Sequence, residues 1–414
     1  MITLYNFSIF VFGLLIKAAS IFQPKAKAFA RGRKDILKNI SERVKNNASP
    51  VIWMHCASLG EFEQGRPIIE AIKSEFPDHK IFLTFFSPSG FEIRKNYPQA
   101  DFVFYLPLDT ASNAKKFIAA VKPVLAIFVK YEFWHHFTEQ LKLRNIPVLS
   151  VSSKFRSSQA FFQAYGSFYR NILKNFTHFF VQNAESVRLL KSIGIENVTQ
   201  AGDTRFDRVK KILSTNQPLP IAERFKNSQK VFVVGSYWSE DLDVLIPFIN
   251  EKRLKFIIAP HEISESNITV LENALQVKSI RYSKAENKAI EDVDVLIIDN
   301  IGLLSKLYRY GEFAYVGGAF GKGLHNILEA ACYGVPILFG NKNYEKFQEA
   351  VDLINRGGAF AIQDYPDLKS KYEILNVPES FLLACEVTRQ YVDENLGATE
   401  KIMRYCRQLL PKII

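Results

Sequence analysis

Residues 51–65 read VIWMHCASLGEFEQG, and this stretch contains the pattern that decides the fold. Val51–His55 is a short apolar run, and Cys56–Gly65 follows it with small residues and two glycines. Apolar residues at helical spacing then continue over Gln64–Ser74. A buried strand that turns sharply into a helix begins a βαβ unit, so the stretch predicts a parallel sheet covered by helices.

The same alternation of apolar runs and helical patterns continues along the chain in two series. The first series predicts further strands at Ile81–Phe85, Phe102–Tyr105, Leu125–Val129, Val148–Val151 and Phe179–Gln182, with a helix at Ala111–Val121 among those between them. The second series predicts strands at Val231–Gly235, Phe256–Ala259, Val295–Ile298, Phe313–Gly317 and Val335–Phe339. We therefore expect an α/β protein with two doubly wound Rossmann-like halves and a ligand cleft at the carboxyl ends of their strands.

The pattern weakens between the two series, where Asn216–Pro220 interrupts a charged stretch, and this predicts a linker. The tail from about residue 378 shows a helical pattern of mixed charge. The predicted parts are an N-terminal anchor (1–22), a first Rossmann-like domain (23–207), the linker (208–229), a second Rossmann-like domain (230–395) and a C-terminal helix (396–414).

Length and composition limit the classes of protein that the chain can form. Its 414 residues suggest two or three domains, and 48% hydrophobic with 23% charged residues exclude a disordered, collagen-like or multi-span membrane protein. Lys and Arg exceed Asp and Glu by 53 to 42, which gives a net charge of +11 and indicates an anionic partner. The four cysteines lack C-x-x-C spacing, so we predict reduced thiols and no metal site.

The first residues predict attachment to a membrane. Residues 1–16 carry no charge, whereas nine Lys and Arg between residues 17 and 47 face only Asp35 and Glu42. This pattern favours a helix that spans the membrane or lies in its interface, with the following chain in the cytoplasm and near anionic lipid. A buried helix with a charged face is the alternative. The basic residues adjoin an apolar segment rather than an aromatic groove, which argues against nucleic acid as a partner.

The loop after Val51–His55 carries the first candidate functional residue, Glu61. A carboxylate just before or within the first turn of a helix is favoured by the helix dipole, and from the residues alone such a cap is the more frequent role. At the mouth of a cleft, the same carboxylate could act as general base on a hydroxyl. Glu63 is expected to point elsewhere, on the helix surface.

The second candidate lies at Val316–Ala330, which reads VGGAFGKGLHNILEA. Four glycines after a strand and before a helix predict a cradle for phosphate, since backbone N–H groups and the helix dipole favour an anion. Lys322 adds a positive charge, Asn326 can cap the helix, and Glu329 stands at the capping-box offset. Neither a Walker loop nor G-x-G-x-x-G is present.

Other strand ends add polar residues to the same predicted cleft. They include Ser236 after the first strand of the second half, Pro260 and His261 after its second strand, and Ile301 in the loop after Val295–Ile298. Two D-x-D sequences occur, Asp241–Asp243 and Asp292–Asp294, but neither follows a strand's carboxyl end. We therefore do not assign them to a metal.

Several of these segments resemble motifs of the 3-deoxy-D-manno-octulosonic acid (Kdo) transferases, which build the lipid A inner core. The segments are His55–Glu61 (H-A-x-S-x-G-E), Tyr131–Trp134 (E-x-E-x-W, with Glu132 at the second acid), Ser152–Phe155, Gly202–Asp207 (G-N-x-K-[FY]-D) and Gly317–Ala330 (G-G-S…G-G-H-N-x-L-E-P). They occur in the family's order, and the resemblance extends from the N-terminal anchor to about residue 360.

The resemblance implies a GT-B fold and an inverting, metal-independent transfer of Kdo from CMP-Kdo to lipid IVA, a phosphorylated lipid A precursor, without another cofactor. It implies that Glu61 is the general base. The implied donor positions are Ser236, Pro260, His261, Ile301, Gly302, Leu303, Gly318, Lys322, Asn326, Ile327, Leu328 and Glu329. The implied acceptor positions are Ser58, Gly60, Glu132 and Lys154.

The chain departs from the family's motifs at three places. The arginine of the family's A-P-R-H is missing at Ala259–Glu262, where His261 or Lys322 could replace it. Ile301–Leu303 lacks the acid of M-G-E, and Lys130 stands at the first acid of E-x-E-x-W. Two alternatives stay open, namely another GT-B nucleotide-sugar transferase or epimerase and a non-catalytic lipid-binding protein of this fold.

Overall fold

The computed structural model describes residues 1–215 and 217–410, which form two units. The first unit contains Met1–Asp207 together with the chain from Leu396 onward, and the second contains Arg208–Asn395. Asn216 of the predicted linker and residues 411–414 of the predicted C-terminal helix lie outside the described residues. The remainder of the predicted linker contributes to two helices, Thr204–Thr215 and Pro220–Lys226.

The first unit is built on a seven-stranded parallel sheet in the order β3-β2-β1-β4-β5-β6-β7. Its strands are β1 Val51–Cys56, β2 Lys80–Phe85, β3 Phe102–Tyr105, β4 Pro123–Val129, β5 Val148–Ser153, β6 His178–Val181 and β7 Val198–Gln200. Its helices are α1 Ile2–Ala19, α2 Pro24–Gly32, α3 Ile36–Val44, α4 Leu59–Glu75, α5 Pro88–Arg94, α6 Ala111–Val121, α7 His135–Lys142, α8 Ser167–Leu173, α9 Ala184–Ser192, the start of α10 Thr204–Thr215, and α19 Ala398–Leu409.

The second unit repeats this plan with a sheet in the order β10-β11-β9-β8-β12-β13-β14. Its strands are β8 Val231–Tyr237, β9 Lys255–Pro260, β10 Ser279–Arg281, β11 Val295–Ile297, β12 Phe313–Val316, β13 Ile337–Gly340 and β14 Ala359–Ile362. Its helices, after the rest of α10, are α11 Pro220–Lys226, α12 Ser239–Asn250, α13 Glu265–Ala274, α14 Leu304–Leu307, α15 Leu328–Ala331, α16 Gln348–Arg356, α17 Tyr365–Leu375 and α18 Pro378–Glu394. The two sheets confirm the predicted pair of doubly wound halves.

Buried aromatic and branched residues explain why the sheets form where the apolar runs predicted them. Every residue of β1 is buried, as expected of a central strand covered on both faces. Trp53 packs against the rings of Phe117, Phe128 and Phe137, and its indole N–H donates to Thr84 Oγ1 at 2.8 Å. The single polar atom of this large side chain is therefore satisfied inside the core.

The first unit is completed by α19, which comes from the far end of the sequence. Ile402, Met403 and Cys406 on α19 belong to the same buried cluster as Ile69 and Ile72 of α4. Fully burying a side chain of this size stabilises a fold by about 1.5–3 kcal/mol. Both ends of the chain therefore contribute to the core of one unit.

Asp207 caps the start of α19, and this contact provides a test of how α19 is held in the first unit. Its two carboxylate oxygens accept hydrogen bonds from the backbone N–H groups of Gly397 (2.7 Å) and Thr399 (2.6 Å). We expect Asp207→Ala to lower the free energy of unfolding of the first unit by about 1–2 kcal/mol, as for loss of an N-cap. Thermal unfolding followed by circular dichroism would measure it. Asp393→Ala, which removes an exposed partner of Lys210, is the control, and equal unfolding of both variants and the wild type would contradict the prediction.

Candidate functional site

In the first sheet the strand order reverses at β1, which lies between β2 and β4. Ligands of open α/β sheets bind at the carboxyl ends of the strands at such a reversal. Two predicted site residues follow these strand ends, Glu61 in the first turn of α4 and Glu132 just after β4. The fold therefore brings both segments to the edge where a ligand is expected.

The surroundings of Cys56 show that Glu61 and Glu132 approach each other. Burial raises the pKa of the Cys56 thiol well above its usual range, and the negative charges of Glu61 and Glu132 raise it further. Glu61 is half-buried, and the hydroxyl of Ser58, the residue before α4, donates a hydrogen bond to its carboxylate. Position in the first helical turn and the Ser58 bond both orient this carboxylate.

Glu132 is held by a buried frame. His55 Nε2 lies 3.1 Å and Trp134 Nε1 2.8 Å from Glu132 Oε2, while His55 Nδ1 lies 2.8 Å from Thr84 Oγ1. His55 is fully buried, so its ring is fixed by the strand that bears it. These contacts make Glu132 a rigid carboxylate, whereas Glu63 turns away and accepts from Arg94 at 2.9 Å, as predicted for a surface residue of the helix.

The predicted acceptor residue Lys154 lies next to the same group. Its backbone N–H donates to the hydroxyl of Tyr131, whose pKa is raised by burial and by the charge of Glu61, while Arg156 acts in the opposite direction. Gly60 faces open space, since an added Cβ would come no closer than 3.8 Å to another heavy atom, Ser58 Oγ. Two carboxylates, two basic residues and a tyrosine thus gather at the carboxyl ends of β1, β4 and β5.

The segment Gly202–Asp207 supports this edge rather than forming it. Buried Asp203 accepts hydrogen bonds from Gln64 of α4 (3.0 Å), from Gln182 (3.0 Å) and from Arg205 (2.9 Å). Burial opposes ionisation of Asp203, but Arg205 and these donors hold its pKa below the usual value. The segment therefore fixes the position of α4, on which Glu61 lies.

The second sheet has the equivalent reversal at β8, between β9 and β12. Three aromatic rings stack at these strand ends: the Trp238–His261 ring centroids are 4.4 Å apart and the His261–His325 centroids 4.3 Å apart. Trp238 Nε1 donates to His325 Nε2 at 2.8 Å, which fixes the stack. Lys322 Nζ lies 3.9 Å from the centroid of the Trp238 ring.

The charge of this group comes from Lys322 rather than from the histidines. Burial lowers the pKa of His325 to about 4, with a further contribution from His261, and burial also lowers the pKa of His261. Both rings are therefore neutral near pH 7, and of the two replacements considered for the family's arginine only Lys322 supplies a positive charge there. Trp238, Pro260 and Lys322 also line a cavity of about 320 Å³.

The glycine-rich loop is held by Asp241. Its buried carboxylate accepts hydrogen bonds from the N–H groups of Trp238 (2.7 Å) and Gly318 (3.0 Å) and from the Tyr315 hydroxyl (2.6 Å). Position 317 requires glycine because the backbone of Ser236 lies close to it, and an added Cβ would be 2.5 Å from the Ser236 carbonyl oxygen. Gly318 has φ +96°, the left-handed region that glycine accepts most readily. Asp241 is thus a structural anchor of the loop.

The helix expected directly after this loop is shorter than predicted. It is the single turn α15, which begins at Leu328 after Ile327, so the cradle is mainly loop backbone. Asn326 does not cap a long helix; its Nδ2 donates to Glu329 Oε1 at 3.2 Å and its Oδ1 accepts from Leu328 N at 3.3 Å. Burial raises the pKa of Glu329, against the opposing charge of Arg208 and the Asn326 bond.

The remaining predicted donor segment, Ile301–Leu303, follows β11. Ile301 is 91% exposed, and Gly302 has φ +93° with open space around it. Its place beside the end of β9 follows from the strand order β11-β9-β8. The sequence did not single out Trp238 or the anchoring role of Asp241. Trp238 directly follows β8, and Asp241 lies in the first turn of α12, so Asp241 does follow a strand's carboxyl end, contrary to the expectation for the Asp241–Asp243 sequence.

The sequence matches known proteins along most of its length. Residues 34–208 match the family model described as 3-Deoxy-D-manno-octulosonic-acid transferase (kdotransferase). The 3-deoxy-D-manno-octulosonic acid transferase of Aquifex aeolicus is 29% identical over 342 residues, covering 80% of this chain and 88% of that protein. The enzyme of the same name from Rickettsia bellii is 25% identical over 392 residues, covering 89% of this chain and 93% of the relative.

Solved structures with similar backbones show the fold. The UDP-GlcNAc 2-epimerase from Neisseria meningitidis, bound to UDP-GlcNAc, has a TM-score of 0.59 at 14% identity and covers 86% of this chain and 100% of its own. Acinetobacter baumannii MurG has a TM-score of 0.55 at 12% identity, with 87% and 99% covered. The GT-B type architecture is confirmed. Because the sequence matches are to Kdo transferases along most of the chain, this protein is similar to the Kdo transferases, and these matches support a glycosyltransferase.

Proposed function

We propose that the protein transfers Kdo from CMP-Kdo to lipid IVA, a phosphorylated lipid A precursor, with inversion and without a catalytic metal. The observation that carries the proposal is Glu61, an oriented carboxylate at the strand-order reversal of the first sheet in a chain similar to the Kdo transferases. An inverting transfer needs one base beside the acceptor hydroxyl and a stabilised leaving group.

In the proposed reaction Glu61 takes the proton of the acceptor hydroxyl as its oxygen attacks the anomeric carbon of Kdo. The bond from that carbon to the phosphate oxygen breaks, and its electron pair leaves with CMP. General base catalysis of this kind supplies ~10²–10⁴-fold in rate. Glu132, held by His55 and Trp134, is a positioning residue that keeps the acceptor site acidic and rigid.

The second unit would bind CMP-Kdo at the end of β8. Lys322 and the backbone N–H groups of the glycine-rich loop fit the phosphate, so no metal is needed to balance its charge. Glu240 and Glu262 on the cavity wall offer carboxylates to the amino group of cytosine, which uracil lacks. The proposed donor positions are those implied by the family motifs, namely Ser236, Pro260, His261, Ile301–Leu303, Gly318, Lys322 and Asn326–Glu329.

The acceptor would enter beside Glu61 in the first unit, where Ser58, Gly60, Glu132 and Lys154 are the proposed contacts. Lys154 and exposed Arg156 provide positive charge close to Tyr131 and Glu61, which suits the phosphates of a lipid A precursor. In this arrangement Glu61 would contact the reacting hydroxyl, while Lys154 and Arg156 would contact the phosphates of the lipid head group.

We also propose that α1 attaches the protein to the cytoplasmic face of the inner membrane. Ile2–Ala19 is apolar and long enough to cross a membrane, with a mean hydropathy of 1.7. One face is docked, since Tyr5 bonds to Asp109 and Phe12 packs on Phe29 and Phe86. The other face exposes large apolar side chains, which are Ile2, Leu4, Phe7, Phe10, Leu14 and Leu15. A helix with one docked and one exposed apolar face fits the membrane interface better than a free span.

The decisive experiment is mass spectrometry of lipid IVA after incubation with the purified protein and CMP-Kdo. We expect a mass increase of one or more Kdo units, also when EDTA is present. Parallel tubes with UDP-GlcNAc in place of CMP-Kdo test the alternative of a different nucleotide-sugar enzyme. No product with CMP-Kdo, with donor and acceptor verified by an active control enzyme, would refute the proposal and leave a different donor or a lipid-binding role.

A further inference from the structure

Outside both predicted sites, three potential metal ligands meet at the start of α7. One ligand atom from each of His135, His136 and Glu139 lies within 4.8 Å of the other two. His135 Nε2 is 4.0 Å from Glu139 Oε1, and His136 Nδ1 is 3.9 Å from Glu139 Oε2. These separations are too long for hydrogen bonds. Residues 135, 136 and 139 share one side of the helix because they are three and four positions apart.

The two histidine nitrogens are buried without a partner. His135 Nε2 and His136 Nδ1 have no hydrogen bond to any other described residue, and both are shielded from solvent. The side chain of His136 is only 4% exposed. A buried nitrogen left without a hydrogen-bond partner destabilises the fold, so a group that bound between these atoms would be favoured.

The hydrogen bond made by Nε2 of His136 determines whether Nδ1 of the same ring can bind a metal ion. Its Nε2 lies 2.6 Å from Asn6 Oδ1 on α1, so this nitrogen carries the proton and donates. In a neutral imidazole Nδ1 is then a bare lone pair. The His136 Nδ1 lone pair therefore lies 3.9 Å from Glu139 Oε2, and His135 Nε2 lies 4.0 Å from the other oxygen of the same carboxylate.

We propose that His135, His136 and Glu139 bind one divalent transition metal ion of the Zn²⁺ type. Two imidazole nitrogens and one carboxylate suit Zn²⁺, whereas Mg²⁺ and Ca²⁺ prefer oxygen ligands. Ligands at about 2.0–2.1 Å from zinc are roughly 3.3 Å apart in a tetrahedron, so the two histidine–Glu139 separations of 4.0 and 3.9 Å must shorten by about 0.6–0.7 Å, and any pair at the 4.8 Å limit by about 1.5 Å. The Glu139 side chain is 44% exposed and can make that movement.

The surroundings of the cluster resemble the outer shell of a metal site. The Asn6 bond to His136 fixes the ring, as outer-shell acceptors do for histidine ligands. Buried Asp109 accepts from the backbone N–H groups of His136 and Phe137 (both 3.0 Å), which fixes the start of α7. Because Asn6 and Tyr5 belong to α1, an ion here would also strengthen the docking of that helix.

The test is Zn²⁺ titration of the untagged full-length protein after removal of metal by a chelator, monitored by calorimetry. Co²⁺ added in a second series reports tetrahedral nitrogen and oxygen ligation through its visible absorption. We expect one Zn²⁺ per chain, with affinity lowered at least tenfold by Glu139→Gln and by His135→Gln. Asn6→Ala should lower the affinity by about 10–100-fold through the outer shell.

Two control variants make the comparison specific. Glu185→Gln removes a carboxylate from a side chain that is also 44% exposed, and His178→Gln removes a histidine bonded to Thr199. Both should bind Zn²⁺ as the wild type does. If His135→Gln does not fold, the surface variant Glu139→Gln decides the outcome alone.

Three results would overturn the proposal. The first is that the wild type binds no Zn²⁺, which is expected if only water bridges the three side chains. The second is a Co²⁺ spectrum that Glu139→Gln leaves unchanged. The third is a loss of binding in the two control variants equal to that in the ligand variants. None of them affects the proposed transfer reaction, because no residue of this cluster belongs to the proposed donor, acceptor or base positions.

Discussion

Replacing Glu61 by Gln is expected to lower the rate of Kdo transfer by ~10²–10⁴-fold while leaving nucleotide binding intact. The amide keeps the size of the side chain and can still interact with Ser58, but it cannot take a proton from the acceptor hydroxyl. Steady-state rates with CMP-Kdo and lipid IVA, together with CMP affinity from calorimetry, would separate loss of catalysis from loss of binding.

Glu63→Gln is the matched control for this experiment, because it removes a carboxylate from the same helix, two residues away. Glu63 pairs with Arg94 on the surface of the unit, so its loss should leave the transfer rate within about twofold of the wild type. Normal turnover by Glu61→Gln would show that the base is another group.

Asp241→Ala is expected to have the largest effect on the second unit. It leaves the buried Tyr315 hydroxyl and the Gly318 N–H without their acceptor. Removing the carboxylate also removes the free-energy cost of burying it, so we expect a net decrease in the free energy of unfolding of about 2–4 kcal/mol. For a unit of this size, the loss corresponds to a melting temperature lower by roughly 5–15 °C. The glycine-rich loop would lose its anchor, so CMP affinity should fall at least tenfold even at temperatures where the unit remains folded.

The neighbouring Asp243→Ala controls for the loss of negative charge from α12. Asp243 is exposed on the same helix, and its removal should change stability by less than about 0.5 kcal/mol. Thermal unfolding and CMP titration of both variants provide the comparison. Equal CMP affinity in Asp241→Ala and wild type would show that the loop does not form the donor site.

Most of the strands that the sequence predicted are central strands, and the edge strand β3 was also predicted because its four residues are all aromatic or branched. β1 and β8 appear as continuous apolar runs because helices cover both sides of a central parallel strand. The sequence did not reveal β7, β10 and β14, which lie at sheet edges and contain three or four residues. β7 and β10 contain polar residues and are partly exposed, so they form no apolar run, whereas β14 is an apolar run of only four residues.

The candidate site was predictable where a motif lies on a strand end, and less so where it depends on tertiary contacts. The place of Glu61 after β1 follows from the strand-to-helix pattern alone. The start of α15 at Leu328 does not, because the loop before it is held by Asp241 from another helix. The stack of Trp238 on His261 joins residues 23 positions apart, which no local periodicity reports.

The histidines of α7 illustrate the same limit. The sequence predicted no metal site, because the significance of the H-H-x-x-E spacing depends on the helix starting at His135 and on Asn6 approaching from α1. Only the structure shows that two of the ring nitrogens are buried and unpaired within the described part of the chain.

The closure of the first unit by α19 has a consequence for how the protein is made. While the ribosome is still adding the residues between Asp207 and Leu409, the α4 surface at Ile69 and Ile72 has no cover. At 5–20 residues per second, that interval lasts roughly 10–40 s. The nascent chain therefore presents an apolar surface to chaperones during about half of its synthesis, and the first unit to emerge is completed only by α19.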